Sequence, residues 1–195
     1  MWDAGIEYGI LSLVMNGPNI LTILRILTIP AIVAVLVTPF EGHLTVGFIL
    51  FVFASLTDWV DGLWARWKKQ VTVFGQLLDP IADKLLIASV FICLVELGLV
   101  RAWMVVVIIG RELAVSGLRS IASSRGVHIP ASLLGKAKMV CESWTIVFIL
   151  AGKNFLGSSA FLIPLGLWLT LATALLSGAE YYLRFGKRIF SSGGS

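Results

Sequence analysis

Four of the chain's eleven acidic residues are spaced in a way that could do chemistry: Asp58, Asp61, Asp79 and Asp83. Asp58 and Asp61 are related as i, i+3 and Asp79 and Asp83 as i, i+4, so on helices each pair shares one face. Both pairs lie at the ends of apolar runs, where a charge is costly and usually faces a cavity, a partner or a substrate. A turn over residues 68–72 would fold the second pair back towards the first. Four carboxylates in one small volume repel each other and call for compensating cations. Mg²⁺ takes carboxylate oxygens together with substrate phosphates, and two such ions polarise a phosphoryl group and stabilise its leaving oxygen. Gly62 and Ala65, one turn beyond the first pair, would let a ligand approach the backbone. The plainer alternative pairs the four aspartates with Arg66, Lys68, Lys69 and Lys84, with Asp79 and Asp83 at a helix N-terminus marked by Pro80. Two separate pairs beside Gly62 and Ala65 exceed what capping requires.

A second cluster is cationic. Arg111 ends the apolar stretch 103–110, and Arg119 follows about two turns later on a similar face. Lys136 and Lys138 open the fifth apolar segment. A phosphate on an acceptor substrate would need such a group, since arginine can grip two oxygens at once. The plainer alternative is anchoring at the lipid headgroups. That suits Arg125, Arg184, Lys187 and Arg188 better than Arg111, which lies deep beside Glu112. Asn19, Thr22 and Arg25 are spaced i, i+3, i+6. Asn19 suits a helix cap, and Arg25, inside an apolar run, suits a brace to an acidic residue. Glu96, Glu142 and Glu180 read as packing or ion-pair residues. Cys93 and Cys141 show no ligand spacing and read as small buried hydrophobes.

The elements that position these residues follow from composition. Of 195 residues, 58% are hydrophobic and 13% charged, against about 25% charged in soluble domains. That excludes a soluble globular domain and disorder alike. Six apolar segments cover 20–37, 44–64, 81–100, 103–121, 139–151 and 161–183. They lack the alternation of a membrane β-barrel strand and read as spanning helices of about 20 residues, the fifth being short and able to extend through Lys138 or Lys153. The stretch 2–15 suits an amphipathic helix at the interface, broken by Asn16-Gly17-Pro18-Asn19. The expected fold is all-α: one polytopic membrane domain over 1–190, six transmembrane helices after an interfacial helix, and a tail at 191–195. Basic residues gather in the 2–3 and 4–5 connections and after segment 6, with Arg101 and Lys153 opposite. This places the two connections and both termini in the cytoplasm. The net charge of +4 then reports cytoplasmic Lys and Arg, not nucleic-acid binding.

Asp58-x2-Asp61-Gly62-x2-Ala65-Arg66-x8-Gly75-x3-Asp79-x3-Asp83 resembles the CDP-alcohol phosphotransferase motif at every fixed position. The resemblance implies a six-helix membrane enzyme, usually homodimeric, that moves a substituted phosphate from a CDP-linked donor to an alcohol and releases CMP. By position, Asp58, Asp61, Asp79 and Asp83 would hold two divalent ions, Mg²⁺ or Mn²⁺, and Asp83 would also be the general base. Gly62, Ala65 and Gly75 would shape the nucleotide pocket. Arg66 would sit near the pyrophosphate or brace the aspartates, and Asn19 and Thr22 would lie near the CDP end of the donor. Residues 19–25, 111–119 and 135–138 resemble the branch that transfers a phosphatidyl group to glycerol 3-phosphate. Gly17 and Met139 depart from that branch's usual residues, and neither belongs to the metal motif. Segment 6 contributes nothing specific.

The resulting expectation is a cytoplasm-facing enzyme of the cytoplasmic membrane. It takes CDP-diacylglycerol and sn-glycerol 3-phosphate, with its lipid tails among membrane lipids, and has no nucleic-acid partner. Arg111, Arg119, Lys136 and Lys138 would bind the acceptor phosphate. Inositol phosphate or serine are alternative acceptors within the family. A divalent-cation transporter could also use intramembrane carboxylates, but it would usually show repeats with broken helices in matching places. Here the carboxylates occupy one hairpin without a second copy.

Overall fold

The structure, a computed structural model, describes the backbone of residues 17–68, 73–124, 126, 130 and 132–186. The side chains of 17–21, 58–68, 73–77, 153–154 and 185–186 fall outside that description. The segment 2–15 and the tail 191–195 also lie outside the described residues. Among the described residues all regular structure is helical: α1 (Gly17–Val37), α2 (His43–Lys68), α3 (Val73–Glu96), α4 (Ala102–Ser124), α5 (Leu133–Leu156) and α6 (Leu162–Tyr181). A 3₁₀ turn (Gly157–Phe161) precedes α6 and a π-helical turn (Tyr182–Gly186) follows it. The chain forms two compact units, Met1–Cys93 and Leu94–Ser195.

In the first unit, Pro18 falls in the first turn of α1, where its missing N–H is not needed. Ile29, Ile32 and Leu36 of α1, and Phe51 and Ala54 of α2, are buried. The two helices approach closely because residue 47 is glycine: a Cβ there would collide with Leu36 Cδ2. On α3 the buried stripe is Ala82, Leu86 and Val90, one residue per turn. Pro80 lies inside α3, not at its start. Its ring removes one backbone hydrogen bond, a loss that apolar helices tolerate through neighbouring groups. The N-terminal position considered for Asp79 and Asp83 is therefore corrected: both occupy interior turns of a helix that begins at Val73.

In the second unit, α4 and α5 both pack against α6. Helix α5 extends beyond 139–151 in both directions and is broken at Gly152, whose φ of 70° is a left-handed conformation that glycine adopts readily. Ser132 caps its start, the Gly135 N–H donating to Ser132 Oγ at 3.0 Å. The buried face of α6 is Thr170, Leu171, Ala174, Ser177 and Tyr181, with Thr170, Ala174, Ser177 and Tyr181 repeating as i, i+4, i+7, i+11. Thr170 and Thr145 of α5 share a buried hydroxyl hydrogen bond of 2.9 Å. Gly166 lets the helices meet, since a Cβ there would stand 2.8 Å from Thr145 Oγ1. Small residues with hydroxyl bonds between helices are how apolar helices associate in lipid.

Among the described residues one helical run, Gly157–Arg184, is long and apolar enough to cross a membrane, and shorter apolar stretches cover Thr22–Val37 and His43–Thr57. The remaining helices carry charges within their apolar runs. Cys93 is buried as expected, whereas Cys141 is only half-buried.

Candidate active site

Helix α3 presents Asp79 and Asp83 on one face, both half-buried. Each is fixed from α1. The Thr22 hydroxyl donates to Asp79 Oδ1 at 2.5 Å, and Arg25 Nη1 donates to Asp83 Oδ1 at 3.0 Å. The i, i+3 spacing of Thr22 and Arg25 thus matches the i, i+4 spacing of the two aspartates. The Arg25 side chain is 1% exposed and that of Asp83 27%. A guanidinium so deep needs a carboxylate to offset its desolvation, and the brace expected of Arg25 is this ion pair. Thr22, expected near the donor's CDP end, is buried and bonded to Asp79. The side chains of Asp58, Asp61, Gly62, Ala65, Arg66, Gly75 and Asn19 lie outside the described residues. Their backbones place Asp58, Asp61, Gly62, Ala65 and Arg66 in the last turns of α2, Gly75 at the start of α3 and Asn19 at the start of α1.

The cationic cluster belongs to the second unit and centres on Glu112. Arg111 Nη1 and Lys138 Nζ both pair with Glu112 Oε1, the lysine at 2.5 Å. Lys138 also pairs with Glu142 at 2.9 Å, one turn along α5. The Lys138 side chain is 1% exposed and that of Glu142 3%, so this ammonium is held between two carboxylates. Arg111 is different. Its Nη1 is engaged by Glu112, while Nε and Nη2 are buried without a hydrogen-bond partner. Those two atoms form one edge of the guanidinium, a planar pair of donors suited to two oxygens of one phosphate. Arg119 and Lys136 are exposed. Arg111 and Arg119 are brought together across the ring of Tyr181, with their guanidinium carbons 5.9 Å and 5.8 Å from its centroid.

Sequence reasoning missed Tyr181 and the part played by Glu112. An aromatic in an apolar helix is ordinarily a packing or interfacial residue, so Tyr181 carried no signal of its own. The readable sign was the small and polar stripe Thr170, Ala174, Ser177, Tyr181 on an otherwise apolar helix. Lys138 and Glu142 were legible as an i, i+4 pair. Glu180 likewise pairs with Arg184 at 3.1 Å.

In the first unit, paired aspartates held from α1 suit the binding of cations; in the second, a guanidinium with two unpartnered donors suits an anion such as phosphate. The family model for CDP-alcohol phosphatidyltransferase matches residues 15–176, and the chain belongs to that family. A Bacillus subtilis (strain 168) protein named CDP-diacylglycerol–glycerol-3-phosphate 3-phosphatidyltransferase is 41% identical over 180 residues, covering 86% of this chain and 93% of the relative. Proteins of the same name from Rickettsia bellii and Pseudomonas fluorescens are 36% and 35% identical. They cover 86% and 87% of this chain, and 93% of each relative.

Proposed function

We propose that the chain transfers the phosphatidyl group of CDP-diacylglycerol to the primary hydroxyl of sn-glycerol 3-phosphate, giving phosphatidylglycerophosphate and CMP. The family, the complete motif and the relatives' shared name support the donor and the reaction type. The observation that supports the phosphorylated acceptor is the unpartnered, buried Nε and Nη2 edge of Arg111. A buried donor pair of this kind costs free energy until an acceptor fills it, and a phosphate supplies two oxygens in the right plane. Arg119 and the exposed Lys136 add positive charge for the same phosphate. Lys138 contributes through Glu112, whose position sets that of Arg111.

The described donor set fits hard divalent cations: Asp79 and Asp83 are carboxylates one turn apart, half-buried and oriented by α1. Asp58, Asp61, Asp79 and Asp83 would hold two Mg²⁺ or Mn²⁺ ions, which when bound neutralise charge on the donor's pyrophosphate. Asp83 takes the proton of the acceptor hydroxyl, its carboxylate held in place by Arg25. The oxygen so freed attacks the phosphorus that bears diacylglycerol, and CMP departs with its phosphate. Gly62, Ala65, Gly75, Arg66 and Asn19 would line the donor's nucleotide end. Positioning and charge neutralisation are most of what such a transfer needs from a protein.

Six transmembrane helices, a cytoplasm-facing site in the cytoplasmic membrane and a homodimer complete the proposal. Large apolar side chains exposed on several helices support membrane embedding: Leu27 is 65% exposed, Val106 69% and Phe155 84%, a surface that lipid would cover. The distribution of Lys and Arg supports the orientation, and the family resemblance supports the dimer. An acceptor panel tests the function: purified protein should convert CDP-diacylglycerol with glycerol 3-phosphate. Preference for serine or inositol phosphate would refute the proposed acceptor.

A further inference from the structure

We propose that Tyr181 is a positioning residue of the acceptor site, its ring setting Arg111 and Arg119 while its hydroxyl fixes the start of α5; this rests on the acceptor-phosphate reading of those arginines. Tyr181 is 3% exposed at the end of α6, in a helix to which the sequence assigned no specific role. One face of the molecule's chemistry meets it from three directions. From α4, the two guanidiniums lie against its ring, and Val115, Leu118 and Ala122 pack around it. From the connection before α5, the Ser132 N–H donates to the Tyr181 hydroxyl oxygen at 3.0 Å. The hydroxyl in turn donates to the Pro130 carbonyl at 3.3 Å. Ser132 is the cap that starts α5, so this tether sets where Lys136 begins. Along α6, Gly178 leaves room for the stem of Arg111, since a Cβ there would lie 3.2 Å from Arg111 Cγ.

The arrangement solves a definite problem. Two arginines with a phosphate to bind repel each other while the site is empty. An aromatic ring attracts both through its negative face, and it does so without competing for their N–H groups, as a further carboxylate would. The Nε and Nη2 of Arg111 thereby stay without a hydrogen-bond partner within the protein. The alternative is that Tyr181 only packs the helices. In that case its loss would weaken the fold and harm both substrates alike.

The test uses the purified full-length chain, with donor and acceptor KM values from CMP release and a melting temperature for each variant. Tyr181→Leu should raise the acceptor KM about tenfold, the scale of two partly desolvated cation–ring contacts, with kcat and donor KM little changed. Tyr181→Phe keeps the ring and should recover most of that loss. Gly178→Ala suits a helix, forces Arg111 to shift, and should raise the acceptor KM on its own; it carries the test if Tyr181→Leu does not fold. The proposal is overturned if Gly178→Ala and the folded Tyr181 variants leave the acceptor KM unchanged while Arg111→Ala raises it. It is equally overturned if Tyr181→Leu moves both KM values in parallel. An acceptor KM unaffected by Arg111→Ala identifies a different failure, that of the underlying phosphate-site reading.

Discussion

Single side chains divide the labour between holding groups and reacting groups. Asp79 and Asp83 are oriented by Thr22 and Arg25, so the reactivity of the aspartates depends on α1. Asp79→Asn should abolish turnover and weaken Mn²⁺ binding while the protein stays folded; near-normal activity at low metal would contradict the two-ion site. Thr22→Val removes the hydroxyl at almost constant shape. It should lower Mn²⁺ affinity about tenfold, the lower end of the range for loss of a ligand's supporting hydrogen bond. A Mn²⁺ titration of binding and activity measures this. A raised donor KM with unchanged metal affinity would make Thr22 chiefly a residue of the donor's nucleotide end. Arg111→Ala should raise the acceptor KM roughly ten- to hundred-fold, since a hydrogen bond to a charged group contributes about 1.5–3 kcal/mol. The donor KM should move far less, and Arg188→Ala, among the basic residues after segment 6, serves as the control.

The helices themselves were largely legible, because apolar runs broken by glycine and charge mark them in any sequence. Six segments were expected and six helices are found among the described residues. Their ends were less legible. α3 begins at Val73, well before Pro80, and α5 extends both ways beyond its apolar run, as its shortness allowed, with Lys138 inside it between two carboxylates. The aspartate spacing was legible because carboxylates in apolar runs are rare and their intervals match helix geometry. The pairing of Arg25 with Asp83 and the placement of Tyr181 were not, since both join residues about fifty positions apart through tertiary packing. Helix association also sets a prediction at this scale. Gly166→Leu would drive a side chain into Thr145 and should destabilise the α5–α6 pair by about 1–3 kcal/mol, as overpacking does. A thermal melt in detergent measures it, and an unchanged melting temperature would contradict the close approach of these helices.

For the molecule as a whole, composition decided the class and charge distribution decided the expected orientation. Arg101→Cys, in a background without Cys93 and Cys141, should react with an impermeant maleimide from outside intact cells. Arg184→Cys should react only after the membrane is opened; the reverse pattern would contradict a cytoplasm-facing site. The central claim is a group transfer that depends on metal and on a phosphorylated acceptor, and CMP release by the purified chain tests it most directly. With CDP-diacylglycerol and Mg²⁺ or Mn²⁺ present, CMP should appear only when glycerol 3-phosphate is added, and chelating the metal should stop it. CMP release that is independent of acceptor, or that continues with the metal chelated, would contradict the account.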